Sequence, residues 1–514
     1  MAMTRIRLIP LFLTLLFALQ ANAEIKLPAI FGDHMVLQQK QNNPVWGWAE
    51  PSEKVTVEIN GQSHSTITNA NGSWRVILRP IPAGGPYKMY IEGESSVFFF
   101  DDVLVGEVWI CSGQSNMQWE LKNTNSGELA IAAANYPNIR LITVPRVGTS
   151  ETQDNFEGSW EATSPETAAD FSAIGYFFGQ RLHHALNVPI GLIDNAWGGS
   201  AAEAWVNRDV LEADKSYIEL MTSWKKLEQN FNYDEEVKKW EKSVEVWEAN
   251  KEDKSMPRRP RNLMTGNHRP ANIYNGVLHP TIGYGIKGVI WYQGESNAGR
   301  SYQYRDLFPL MIRNWRTEWK QGDFPFYYVQ LADFMDESVQ PEESGWAELR
   351  EAQTMTKDKL SNVGEAVIID LGEGRDIHPR NKQTVADRLV RIALARDYNK
   401  AIIYEGPSYK SMEIKGDKIL LTFENVGKGL YAFDTKEPVG FAMAGSDTKF
   451  VWADAKIISS NQMEISSESI SNPISVRYAW ANNPVCNMYN RDGLPMTPFR
   501  TDSWEGVTFG KVDR

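Results

Sequence analysis

The stretch "VWICSGQSNMQW" (Val108–Trp119) changes character halfway along its length. Val108, Trp109, Ile110 and Cys111 form a short apolar run, which the small and polar residues Ser112-Gly113-Gln114-Ser115-Asn116 cut off. A short apolar run bounded by turn residues reads as a buried strand. A strand that is apolar on both faces belongs in a sheet covered by helices on both sides. The flanking chain fits that reading. Strand candidates at 107–111, 139–144, 189–194, 287–292, 324–331 and 365–370 alternate with helical patterns. "FSAIGYFFGQRLHHAL" (171–186) and "NKQTVADRLVRIALARDY" (381–398) are the clearest helices, and the second places Val385, Leu389 and Ile392 on one face. This alternation predicts an α/β fold on a parallel sheet.

The rest of the 514 residues is organised around that core. Residues 24–104 read as an N-terminal β domain, with runs such as "VTVEING", "SWRVILRP" and "YKMYIEG" between Gly, Asn and Pro turns. "NANG" (69–72) is a hairpin-type turn signal. Residues 105–402 form the α/β domain, with a polar, helix-prone insertion at about 208–262 that the loop "PRRPRN" (257–262) closes. From 403 to 514 the chain reads as β-rich again, through "KILLTFEN", "FVWADAKIIS", "QMEISS" and "ISVRYAW".

Residues 1–23 carry Arg5 and Arg7, an apolar stretch from Leu8 to Leu19, and Ala21-Asn22-Ala23, the pattern of a cleaved secretion signal. The mature protein is therefore expected from Glu24, in the periplasm or outside the cell, with no membrane span after cleavage. A formal net charge of -12 and the lack of a basic cluster exclude nucleic acid as a partner. The two cysteines, Cys111 and Cys486, read as free thiols, although an exported protein could join them. No group of His, Cys, Asp and Glu has ligand spacing, so neither a metal nor another cofactor is called for.

Ligands of open α/β sheets bind at the carboxyl ends of the strands. The first strand ends in "SGQSNMQW" with Ser115, the third in "NAWGGSAAEAW" (195–205), the fourth in "QGESN" (293–297) and the sixth in "LGEGRDIHP" (371–379). One sheet edge thus collects a serine, a diglycine, an amide-rich loop and an acid–histidine pair. Acyl transfer needs this inventory. A serine hydroxyl becomes nucleophilic when a histidine takes its proton, an acid fixes the histidine tautomer, and preorganised N–H groups hold the oxyanion. The tryptophans in or beside these blocks (Trp119, Trp197, Trp205 and Trp291) suit either sugar faces or the core beneath the loops.

Together "GQSNMQW", "WGGS", "WYQGESN" and "DIHPRNK" resemble the sialate O-acetylesterase family, a carbohydrate-esterase branch of the SGNH-hydrolase superfamily, and "VRYAWANNPVCNMYNRDGLPMTPFRTD" (476–502) resembles its ending. The resemblance implies a three-layer parallel-sheet SGNH-hydrolase domain flanked by sandwich-like β-rich regions. It implies Ser115 as nucleophile, His378 as general base and acid, and Asp376 as the orienting acid. The backbone N–H groups of Ser115 and Gly199 would form the oxyanion hole, with a third donor from Gln293 or Asn297. The superfamily usually places its acid three residues before the histidine, where this chain has Arg375, so Glu295 and Glu373 stand as alternative acids. Pairing with an acid is expected to raise the His378 pKa. The substrate implied is an acetylated sialic acid. Acetylated xylan or another glycan is the alternative, as are a catalytically inactive glycan-binding protein and a lipid or thioester hydrolase on the same scaffold.

Overall fold

A computed structural model describes residues 24–94, 96–250 and 255–512 of the chain; the secretion-signal reading lies outside the described residues. The stretch around Val108 belongs to one long strand, β1 (Val97–Gly113), buried without interruption from Val103 to Gly113. The strands that assemble with its second half are β2 (Tyr136–Thr143), β3 (Glu161–Thr163), β4 (Ile190–Asp194), β5 (Gly288–Tyr292), β6 (Phe326–Val329) and β7 (Val363–Ala366). Their order across the sheet is β7-β6-β5-β1-β4-β2-β3. All neighbours in this series pair parallel except β2 and β3. On one side the chain runs out to β2 and β3 and returns to β4 beside β1, and on the other it steps outward through β5, β6 and β7, so the order reverses beside β1, where α/β sheets open a crevice.

Helices cover this part of the sheet on both faces. Trp109 packs on Phe178 of α2 (Ala173–Leu186), with ring centroids 5.0 Å apart. On the opposite face Trp291 meets Phe308 and Trp315 of α3 (Ser301–Trp319), at 6.2 and 5.7 Å. The last long helix, α4 (Lys382–Arg396), lies beside α2, and its Ile392 reaches the sheet near Gly364 and Tyr327. Burial on both faces explains why the strands are apolar along their whole length.

The first half of β1 joins a different environment. Val97–Val105 pairs antiparallel with Gly84–Glu92, and Leu104–Gly106 pairs parallel with Val36–Gln38. The architecture is therefore a mixed α/β fold with a central mixed sheet and additional β-rich regions. A boundary at 104/105 falls inside this one strand. The N-terminal side chains, Val57, Met89 and Ile91 among them, share a continuous apolar cluster with the helical layers.

Some details differ from the sequence reading. "NANG" does not close a hairpin: Gln62–Ile67 pairs with Lys54–Ile59, and Ser73–Leu78 pairs with Asn43–Trp48. The Asn69 side chain accepts the N–H groups of Asn71 and Ser73, so the turn passes the chain between two sheets. The strand expected at 365–370 stops at Ala366, because Val367 and Ile369 pack into the separate C-terminal core while Ile368 stays in the main one. That C-terminal core lies between two four-stranded sheets, whose members include Lys418–Glu424 and Phe441–Ala444. Within 208–262, the helix Tyr233–Asn250 buries no side chain.

Trp291 is fully buried, within 5.4–6.2 Å of the rings of Trp205, Trp315, Phe308 and Phe326. Trp291→Ala should cost ~3–5 kcal/mol through lost burial and a residual cavity. The measurement is the urea unfolding midpoint, and an unchanged midpoint contradicts the packing account.

Candidate active site

Strand β1 ends at Gly113, which has φ +132; a Cβ there would lie 2.2 Å from the Tyr292 carbonyl oxygen. Only glycine tolerates this approach. The next residue knits two strand ends together: Gln114 N–H donates to Tyr292 O (2.9 Å), and Gly294 N–H donates to Gln114 Oε1 (3.0 Å). Trp197 N–H donates to Gly113 O (2.9 Å), tying in the loop after β4. Ser115 then opens the short helix α1 (Ser115–Gln118).

His378 arrives from the loop after β7, three strands away from β1 in the sheet, and its Nε2 lies 2.7 Å from Ser115 Oγ. These two residues are 263 positions apart in the chain. The imidazole stacks on the Trp119 ring, with centroids 5.0 Å apart and planes inclined by 18°. Asp376 Oδ1 accepts the His378 backbone N–H (2.9 Å) and stands 3.6 Å from Nδ1, beyond hydrogen-bond length. It is the one carboxylate within ion-pair distance of His378 among the described residues. Burial and the neighbouring Lys382 cation hold the His378 pKa below its ordinary value against the opposing pull of Asp376. The expected rise is thus reversed, because desolvation outweighs a carboxylate that stays half in solvent.

The alternative acids lie elsewhere. Glu373 forms an ion pair with Arg380 at 2.7 Å, which lowers its pKa. Glu295 Oε1 accepts Asn116 Nδ2 (2.8 Å), and its Oε2 is buried without a partner among the described residues. Burial raises the Glu295 pKa.

The diglycine comes up against the serine. A Cβ on Gly198 would lie 3.3 Å from Ser115 Cβ, and Gly199 takes φ +70. Gln118 Oε1 accepts the Gly198 N–H (2.7 Å), while Asn267 Nδ2 donates to Gly198 O (2.5 Å). The N–H groups of Ser115 and Gly199 have no acceptor among the described residues. Of the two amides named as third donor, Gln293 has both N–H groups engaged and Asn297 has one. Gln293 Nε2 donates to Ser200 O (3.1 Å) and Asn297 Oδ1 (2.7 Å), and Asn297 Nδ2 donates to Glu203 Oε2 (3.0 Å). Both side chains are fully buried and brace the loops after β4 and β5 against each other.

Sequence reasoning passed over Asn116, Gln118, Asn267 and Lys382. Three of them stand inside the quoted motifs, so the signal was present. Their roles depend on partners from other strands. Trp205 and Trp291 belong to the core, and Trp119 to the site. Both cysteines are free thiols. Among the described residues no three His, Cys, Asp or Glu side chains gather as a metal-ligand set, and no helix is long and apolar enough to cross a membrane.

This geometry separates the acids. Asp376→Asn should lower kcat on a soluble acetate ester by ~10²-fold or more, since Nδ1 loses its nearby carboxylate. Glu295→Gln keeps an acceptor for Asn116 and should cost less than ~10-fold. Steady-state kinetics on the two variants checks this, and a larger loss in Glu295→Gln would reassign the acid.

The family model for carbohydrate esterases described as sialic acid-specific acetylesterases matches residues 105–246 and 272–392. The mouse sialate O-acetylesterase is 30% identical, over 93% of this chain and 94% of its own length. The human sialate O-acetylesterase is 28% identical, over 93% of each. The crystal structure of a carbohydrate acetylesterase from Xanthomonas citri superposes with a TM-score of 0.80 at 36% identity, covering 94% of this chain and all of that one. The paired Ser115 and His378 lie within the segments that the family model matches, and by that match and these relatives the chain belongs to the sialic acid-specific acetylesterase family of carbohydrate esterases.

Proposed function

We propose that this protein is a serine esterase that removes O-acetyl groups from carbohydrates, with acetylated sialic acid as substrate. The observation that carries the reading is the 2.7 Å contact between Ser115 Oγ and His378 Nε2, beside two unengaged backbone N–H groups. Ser115 Oγ attacks the acetyl carbonyl carbon as its proton passes to His378 Nε2. The N–H groups of Ser115 and Gly199 receive the oxyanion. His378 returns the proton to the departing sugar oxygen, leaving acetyl-Ser115. It then takes a proton from water as that water attacks the acetyl carbon, and passes it to Ser115 Oγ as the acyl bond breaks, freeing acetate and restoring the serine. Asp376 steadies the imidazolium formed in each half-reaction.

Helices on both faces of the parallel strands, and the order reversal at β1, support the finer reading of a three-layer SGNH-hydrolase domain. Two β-rich regions, 24–104 and 403–514, would flank it. The charge pattern of residues 1–23 supports a periplasmic or secreted location. A second reading, in which the substrate is another acetylated carbohydrate such as xylan, is kept open by the 36% identity to the Xanthomonas citri carbohydrate acetylesterase, whose name specifies no sugar. Acetate release measured across O-acetylated sialic acids, acetyl-xylan oligomers and simple sugar acetates decides between them.

Ser115→Ala should lower kcat by ~10⁴-fold or more while thermal unfolding stays near wild type. A folded Ser115→Ala protein that still releases acetate at the wild-type rate would end the serine mechanism.

Only neutral His378 accepts the proton, and its pKa lies below the ordinary value of ~6.5. The base form is therefore full at neutral pH and is lost as pH falls through that lowered pKa. The kcat/KM profile should fall on an acid limb whose midpoint lies below ~6.5. A midpoint above ~6.5 in a pH–rate series contradicts the burial of His378.

A further inference from the structure

A lysine sits beside the Ser115–His378 pair and takes no part in the reaction just described. Lys382, the first residue of α4, is 1% exposed. Its Nζ pairs with no carboxylate among the described residues and lies 5.6 and 5.7 Å from the ring centroids of Trp119 and Tyr292. Its hydrogen bond goes to Asn116 Oδ1, at 2.5 Å.

Asn116 spends the rest of its amide on two other loops. Nδ2 donates to Glu295 Oε1 (2.8 Å) and to the Ile377 carbonyl (3.0 Å). Asn116 follows the serine and Ile377 precedes the histidine, so one side chain joins the nucleophile turn, the histidine loop and the "QGESN" loop. Its orientation has only one workable sense. Turned by 180°, the amide would set its NH₂ against an ammonium and its oxygen against a carboxylate and a carbonyl. An ammonium has donors and no acceptor, so Lys382 on one side and the Glu295 carboxylate and Ile377 carbonyl on the other together settle which way the amide faces.

We infer that Lys382 is a positioning residue: through Asn116 it holds the Ser115 turn against the His378 loop. The inference rests on the Ser115–His378 reading. The charged groups around His378 are Asp376 on its own loop, the Glu373–Arg380 pair at the base of that loop, Glu295 beyond Asn116, and Lys382 on α4. Burial first and the Lys382 cation second depress the histidine, and burial also pushes the lysine itself down to about 7. As pH falls, Lys382 becomes charged and opposes protonation of His378, so the base stays available in weakly acidic conditions.

The test is the pH dependence of acetate-ester hydrolysis by Lys382→Met and Lys382→Arg. Lys382→Met should lower kcat by ~10–100-fold with KM within ~3-fold, the scale of a misplaced reacting group. It should also move the acid limb of kcat/KM upward by ~0.5 pH unit or more. Lys382→Arg keeps the cation and should retain the wild-type limb. Should Lys382→Met fail to fold, Lys382→Gln carries the same pH comparison. A folded neutral variant with wild-type kcat and an unmoved limb overturns the inference; if Ser115→Ala is inactive at the same time, the serine mechanism stands without it. An active Ser115→Ala removes that mechanism and this inference together.

Discussion

At Gly113 two neighbouring strands approach so closely that the Tyr292 carbonyl occupies the space of a side chain. Everything reactive in this protein is hung from that contact. It lets β1 turn sharply at the edge of the sheet, so that Gln114 faces inward and binds the end of β5 while Ser115 faces the crevice. The loop after β4 is fastened to the same residue through Trp197. Three strand ends are thus rigidly referenced to one another before any side chain of the site is considered. Sites carried on such fastened ends hold their geometry better than sites on free loops.

The second layer of order is polar and buried. Asn116, Gln293 and Asn297 are amides with most of their hydrogen-bonding capacity used between loops. Buried amides left unpaired would each cost on the order of 1–3 kcal/mol, so such a network favours one arrangement strongly over near alternatives. It also explains why amide-rich motifs surround a serine whose chemistry needs no amide. They position it, and they leave the backbone N–H groups of Ser115 and Gly199 as the donors that remain open.

The β-rich N-terminal region is not a loosely tethered accessory. It enters the α/β core through the first half of β1, whose other end leads into Ser115. Gln38 and Gln39 bind the buried Glu107 carboxylate at that junction, at 2.9 and 2.5 Å. Mechanical continuity of this kind couples the stability of the N-terminal sheets to the placement of Ser115, because a strand cannot slip in one half and hold register in the other.

Sequence reading alone reaches the mixed α/β fold and the pairing of Ser115 with His378. Apolar runs of strand length between amphipathic helices have few other solutions, and Ser115 and His378 each follow a strand whose carboxyl end faces the crevice. Local chemistry sufficed there, because periodicity and turn residues are local properties. What tertiary structure alone decided are the matters that depend on partners distant in the chain. Gln293 carries the right group for an oxyanion hole, yet Ser200 in the loop after β4 and Asn297 engage both its N–H groups first. Asp376 sits two residues before the histidine and gives its oxygen to the histidine backbone, leaving Nδ1 at 3.6 Å. The His378 pKa falls where pairing alone predicted a rise, since burial and the charge of Lys382 are set by packing. The second half of "EAVIID" leaves the sheet because a separate C-terminal core competes for Val367 and Ile369. In each case residue type names what a group can do, and only the packed neighbours determine which of those capacities remains free.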